Sequence, residues 1–252
     1  MDDRVEIFAQ GDHKNILLPN FDAGEGIQAN QHVIVHGAEA MILDPGGHKV
    51  YNKVLSATFK ETRGAQLSQI FLSHQDPDIV AAVNGWLMTT NADAWCSALW
   101  KRFVPHFGLD RLVTDRLKEI PDEGMRLNLG GADMLILPAH FLHSVGNFQL
   151  YDPVSKVLYT GDLGASVGHD YRQVSDFDAH LPNMEGFHRR YMTSNVAMRA
   201  WAGMARQLDI ETIAPQHGAI FQGRDLVARF LDWAEELQCG LDIMQGIYKI
   251  PR

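Results

Sequence analysis

Cysteine is nearly absent: Cys96 and Cys239 are the only two in 252 residues, far apart and without metal-ligand spacing. That excludes a disulfide scaffold and a thiolate metal cluster, and it fits buried, inert thiols in a reducing compartment. No apolar run approaches the roughly 18 residues that a membrane-spanning helix needs. The opening Met1-Asp2-Asp3-Arg4 is acidic and lacks the apolar core of a secretory signal. A cytoplasmic protein without membrane segments is therefore expected. Positive charge is in deficit, with 22 Lys and Arg against 31 Asp and Glu and a formal net charge of −9. Nucleic acids and anionic membranes select basic surfaces, so neither is an expected partner. No Gly-x-Gly-x-x-Gly follows a strand-like run, so the chain supplies no dinucleotide fingerprint. It also lacks a linker, a composition break or an internal repeat. With 46% hydrophobic residues, enough for a sizeable core, a single domain over 1–252 is expected.

Histidine and aspartate at strand ends are what the chain does have. The organising stretch is Ser73-His74-Gln75-Asp76-Pro77-Asp78-Ile79. It follows the apolar run Ile70-Phe71-Leu72 and precedes Val80, Val83, Trp86 and Leu87, which share one helical face. Pro77 suits a first helical turn with Asp76 as its N-cap. Three further candidates stand in similar strand-then-turn contexts: His143 in Phe141-Leu142-His143-Ser144, Asp162 after Val157-Leu158-Tyr159-Thr160-Gly161, and His217 after Ile213-Ala214-Pro215-Gln216. Any one of them alone would read as a cap or a satisfied polar residue, since the chain has 12 histidines.

The joint order, His-x-Asp-x-Asp and then His, Asp and His, resembles the metallo-β-lactamase superfamily. The gaps are 69 residues from His74 to His143, 19 to Asp162 and 55 to His217. Hydrolases of that superfamily usually carry His-x-His-x-Asp-His, whereas flavodiiron proteins carry His-x-Glu-x-Asp-His. The carboxylate at Asp76 places the resemblance on the flavodiiron branch. No flavodoxin-like stretch follows Arg252, so the likeness is to oxygen-binding diiron proteins, a flavodiiron core without its flavin domain.

The resemblance implies an α+β fold, the four-layer αββα metallo-β-lactamase sandwich. The strand-like runs fit it, falling into one group before residue 100 and another from residue 125. The runs His32–His36 and Ala40–Asp44 flank Gly37-Ala38-Glu39, while the runs at 125–129 and 134–137 flank Gly130-Gly131 as a hairpin. Runs at 148–151 and 156–160 flank Asp152-Pro153. Residues 1–20 read as a loose lead-in ending in a strand at 15–18, and Asp22-Ala23-Gly24-Glu25-Gly26 as a turn-rich link. Helices are expected over 49–62, from 187 to 208 and over 226–241. Residues 168–186 lack periodicity and read as a loop over the site. The aromatics Trp100, Phe103 and Phe107 read as core packing, with lining of the site as the alternative. Asp44, ahead of Pro45-Gly46-Gly47, is either a plain β-turn residue or the superfamily's early aspartate near the metals.

The implied ligand set is His74, Asp76, His143 and Asp162 for one ion, and Asp78, the bridging Asp162 and His217 for a second. The family's final histidine is Ile79 here, which leaves the second set one imidazole short. His140, His169 and Tyr191 are the candidates to replace it. Mixed imidazole and carboxylate donors suit two iron ions, with zinc as the alternative metal. The resemblance then implies a protein that binds dioxygen or a similar diatomic. It would act either as a sensor with a signalling partner or as an oxidoreductase on O2 or NO with an external electron donor. A zinc hydrolase on the same fold, or a degenerate interaction module, are the other readings. A homodimer is expected, and no catalytic residue apart from the metal ligands is singled out.

Overall fold

The computed structural model describes residues 3–21, 24 and 26–251. Two sheets face each other. The first has β1 (Val5–Gln10), β2 (His13–Leu17), β3 (His32–His36), β4 (Glu39–Leu43), β5 (Gln66–Phe71), β6 (Asp93–Ser97) and β7 (Leu117–Ile120) in that spatial order. β1 to β4 pair antiparallel, and β4 to β7 pair parallel. The second sheet begins with β8 (Met125–Leu129), β9 (Ala132–Pro138) and β10 (Phe148–Asp152). It continues with β11 (Val157–Gly161), β12 (Thr212–Pro215) and β13 (Phe221–Gln222), all six in chain order across the sheet. Its one parallel pair is β11 with β12.

Both faces of each sheet are buried, so the central strands are apolar without alternation. In β2 to β4, Leu17, Ile34 and Met41 point between the sheets, where they meet Phe148, Leu150 and Tyr159. Their neighbours Ile16, Val33 and Ile42 point outward, towards α1 (Tyr51–Glu61) and the helix pair α2 (Pro77–Val80) and α3 (Val83–Thr89). The short α4 (Ala98–Lys101) follows β6. On the far side, Leu158 and Ile213 pack against α5 (Phe177–Tyr191), α6 (Asn195–Ala205) and α7 (Arg224–Glu236), and α8 (Leu241–Met244) lies near the end. The result is helix, sheet, sheet, helix: the αββα sandwich. Among the described residues, no helix is long and apolar enough to cross a membrane. Cys96 and Cys239 are buried free thiols.

The structure corrects several expectations. Residues 5–10 form a strand rather than a loose lead-in, with Ile7 as its one buried position. Residues 168–186 are not one loop, because α5 starts at Phe177 and runs through Pro182. Asp176 caps it, accepting from the backbone N–H of Asp178 and Ala179. Burial of Phe177, His180, Met184 and His188 offsets the hydrogen bond that Pro182 removes. The helix expected over 187–208 is two helices, α5 and α6, broken at 192–194. The closing helix ends at Glu236 rather than near residue 241. Phe103 and Phe107 are neither core nor cavity wall, at 44% and 39% exposed. The turn-rich link at 22–26 lies partly outside the described residues.

Candidate metal centre

The parallel strands β4, β5, β11 and β12 all end at one edge of the sandwich, and the turns that follow them meet there. The turn after β5 carries His74 and Asp76 and leads into α2, whose first turn holds Asp78. Asp162 stands directly after β11, and His217 lies two residues beyond β12. His143 comes from the connection between β9 and β10.

These six side chains converge. Single donor atoms from His74, Asp76, His143 and Asp162 lie within 4.8 Å of one another. His143 Nε2 is 2.9 Å from Asp162 Oδ2 and 3.5 Å from Asp76 Oδ2. His74 Nε2 is 3.6 Å from Asp76 Oδ2 and 3.7 Å from Asp162 Oδ1. A second group adjoins the first, with His217 Nε2 at 3.5 Å from both Asp78 Oδ2 and Asp162 Oδ1. Asp162 thus stands between the two groups, with Oδ2 towards His143 and Oδ1 between His74 and His217.

Outer partners fix these orientations. Ser73 Oγ lies 2.9 Å from His74 Nδ1, and the Ser73 N–H donates to Asp44 Oδ1 at 2.8 Å. Asp44 therefore touches the His74 turn and is more than a turn residue. His217 Nδ1–H donates to the carbonyl of Gln28 at 2.6 Å, which directs Nε2 at the carboxylates. Gln216 Nε2 donates to Asp78 Oδ2 at 3.0 Å. Ser144 Oγ donates to Gln75 Oε1 at 2.6 Å, and Gln75 Nε2 donates to Asp76 Oδ1 at 3.1 Å. Asp76 occupies the N-cap position of α2, but its side chain caps nothing and is held by the site instead.

The electrostatics match the geometry. Burial works to lower the pKa of His143, but Asp162 and Asp76 outweigh it and push the ring up to about 10. The same opposition raises His217 to about 9, with Asp162 as the main carboxylate, and raises His74. Burial would raise Asp162, yet His143 and His217 hold it well below the usual carboxylate range. Asp76 is lowered likewise, by His143 and His74 against its own burial.

The donor set fits cations. His74 Nε2 and Asp162 Oδ1 are buried and have no hydrogen-bond partner among the described residues. Spacings of 3.5–3.7 Å exceed a good hydrogen bond but suit donors that share an ion at about 2.0–2.2 Å from each. Ile79 contributes nothing to this set, being fully buried in the apolar cluster outside the first sheet. His140 Nε2 is taken by the carbonyl of Asp122 at 2.8 Å, and His169 by Ser166 and Tyr171. Tyr191 instead lines the cavity over the ions' position. That cavity, about 450 Å³, is walled by Ile27, Ala165, Val167, Phe187 and Tyr191. A smaller one of about 290 Å³ shares Ile27, Pro77 and Asp78 with it. Sequence reasoning named Tyr191 only as a possible ligand and missed the other walls and the two glutamines, because single apolar and amide side chains carry no signal of what they face.

A four-layer αββα sandwich with histidines and aspartates at its strand ends defines a metallo-β-lactamase-like protein. The family described as ODP family beta lactamase matches residues 27–218, and the chain belongs to that family. A solved structure titled as the peroxy diiron species of chemotaxis sensor ODP is 39% identical, covers 98% of this chain and 100% of its own, and superposes with a TM-score of 0.87. The apo state of chemotaxis sensor ODP from T. denticola is 38% identical with a TM-score of 0.85, over the same 98% and 100%. A flavo di-iron protein variant from Thermotoga maritima shares the fold at a TM-score of 0.77 and 18% identity, over 92% of this chain and 60% of its own. An uncharacterized protein of Methanocaldococcus jannaschii is 21% identical over 208 residues, 80% of this chain. The chain spans about half, 52%, of that curated relative.

Proposed function

We propose that this protein is a non-haem diiron protein that binds dioxygen and works as an oxygen sensor. His74, Asp76, His143 and Asp162 would hold one iron ion, and Asp78, Asp162 and His217 the other. One observation carries the reading: two imidazole–carboxylate groups share the buried carboxylate of Asp162, and two of their donor atoms lack any other partner. The whole-length likeness to a chemotaxis sensor solved as a peroxy diiron species supports iron and oxygen over zinc hydrolysis.

When bound, the ion pair supplies the redox-active centre on which dioxygen chemistry depends. The chain's own residues set its surroundings. Asp76 and Asp162 place negative charge beside the imidazoles, which favours the more oxidised ions. Phe187, Tyr191, Ile27 and Val167 give the solvent-facing mouth of the site an apolar lining through which a small diatomic can enter. The second group, one imidazole short, binds its ion more weakly than the first. A cytoplasmic homodimer, read by a partner protein, completes the proposal. Light scattering that shows a monomer at micromolar concentration would remove the dimer.

The test is an oxygen electrode with stopped-flow absorbance on the anaerobically reduced, iron-loaded protein. A single burst of uptake with a long-lived visible spectrum is expected. Rapid catalytic uptake sustained by a small-molecule reductant, with no added flavin protein, would overturn sensing. A colourless zinc protein that hydrolyses lactones or thioesters would overturn the reading entirely.

A further inference from the structure

We propose that His188 is a positioning residue for the ion pair: from the buried face of α5 it holds the turn that carries Asp162, through the backbone of Gly164. The inference rests on the reading of this site as a metal centre. Asp162 sits in a tight turn in which Leu163 N–H donates to Thr160 and Ala165 N–H donates to Asp162. The N–H of Gly164 takes no part in that turn. It donates to His188 Nε2 at 2.8 Å. On the other side of the ring, His188 Nδ1–H donates to the carbonyl of Met184 at 2.7 Å. The two bonds fix one tautomer, with Nε2 bare and accepting. The ring is fully buried and lies edge-on to Trp233 and Phe187, at 4.9 and 5.2 Å between centroids.

Gly164 leaves little room for adjustment. Its φ of +100° is the left-handed conformation that favours glycine. A Cβ there would stand 3.3 Å from Pro215 and 3.4 Å from Phe230. The turn is therefore confined by packing and tethered at one backbone N–H. The same helix presents Phe187 and Tyr191 edge-on to the His143 ring, at 6.3 and 5.7 Å. So α5 braces Asp162 from behind and His143 from the cavity side, and these two residues are 2.9 Å apart at the site. Removing the acceptor would leave a buried N–H unpaired, and the turn would shift to find another partner. A bridging carboxylate must keep its position within a fraction of an ångström to serve two ions, so the shift would be read at the metals.

The experiment is a cobalt(II) titration of the metal-free protein, with chelator competition for affinity and the visible spectrum for coordination. It compares wild type with His188→Gln, whose Oε1 can accept from Gly164, and His188→Leu, which fills the space without an acceptor. His188→Asn, too short to reach Gly164, replaces the leucine variant if that one does not fold. Urea unfolding of each metal-free protein is measured alongside. The acceptor-less variant is expected to lose about 10- to 100-fold in cobalt affinity and to show an altered spectrum. His188→Gln is expected to keep both wild-type values. If the acceptor-less variant is destabilised in urea but keeps wild-type affinity and spectrum, His188 is merely structural and the proposal falls. Equal loss in His188→Gln would also overturn it. A wild-type protein that binds no cobalt would instead overturn the metal-centre reading, and is recognised before any variant is compared.

Discussion

Asp162 is unusual because its two oxygens face different partners, Oδ2 towards His143 and Oδ1 towards His74 and His217. Among the three histidines of the site, Asp78 pairs with His217. Asp162→Asn is therefore expected to abolish binding of both ions, whereas Asp78→Asn removes only the weaker one. Metal stoichiometry after dialysis separates the two outcomes. Gln216 acts one step out, holding Asp78 Oδ2 by a single hydrogen bond. Gln216→Ala should lower affinity for the second ion alone by about 10-fold, as measured by chelator competition. A residue of this kind has no signal in the sequence beyond standing next to His217.

The elements that matter most are the short turns that hand strands over to the site. After β12, Gly218 has φ +81°, and a Cβ there would collide with the hydroxyl and carbonyl oxygens of Ser166. Gly218→Ala is expected to cost about 2 kcal/mol or more and to displace His217. Urea unfolding and second-ion affinity should fall together in that variant. The short α2 places Asp78 on its site face while Ile79 is buried in the apolar cluster with Val83 and Trp86. In the metal-free protein, Ile79→His puts an imidazole into that cluster and should cost about 2–3 kcal/mol by urea unfolding. Unchanged stability would show that the imidazole escapes the cluster. Of α5, only the end from Phe187 to Tyr191 was legible as helix. Its buried positions Phe177, His180, Met184 and His188 follow a helical period, but two of the four are histidines and Pro182 interrupts them.

Across the whole molecule, buried titratable groups outside the ligand set contribute to the pH dependence of stability. Burial lowers His32 to about 3 and His180 and His188 to about 4, from an ordinary 6.5. The unfolded chain takes up protons that these rings refuse, so stability present above pH 6.5 is lost as pH falls towards 4. Asp44 opposes them. Burial raises its carboxyl to about 6, so it keeps a proton that the unfolded chain releases above about 4, and stability falls as pH rises through that range. Three rings against one carboxyl leave a net of about two protons, or about 2–3 kcal/mol per pH unit gained on going from pH 4.5 to 6. Urea midpoints across that range check it. His188→Gln should make the profile shallower, because one of the three rings that refuse a proton is then gone.

The positions at which strands give way to turns were determined by the sequence itself. Ile70-Phe71-Leu72 before His74, and Tyr159-Thr160-Gly161 before Asp162, alternate apolar runs with residues that stop a strand. That local chemistry places each candidate in a turn, and only their joint order, through the family resemblance, singled out the six; the hairpins at Gly130-Gly131 and Asp152-Pro153 are legible from turn chemistry alone. Only the tertiary structure decided how these turns share one edge, because the distance between His74 and His217 depends on two sheets facing each other. It also decided that Ile79 is buried in a core cluster and that His188 accepts a hydrogen bond behind Asp162. Histidine reads as polar in any local pattern, and whether it meets a metal, a carbonyl or a buried N–H is fixed by what long-range packing brings to it.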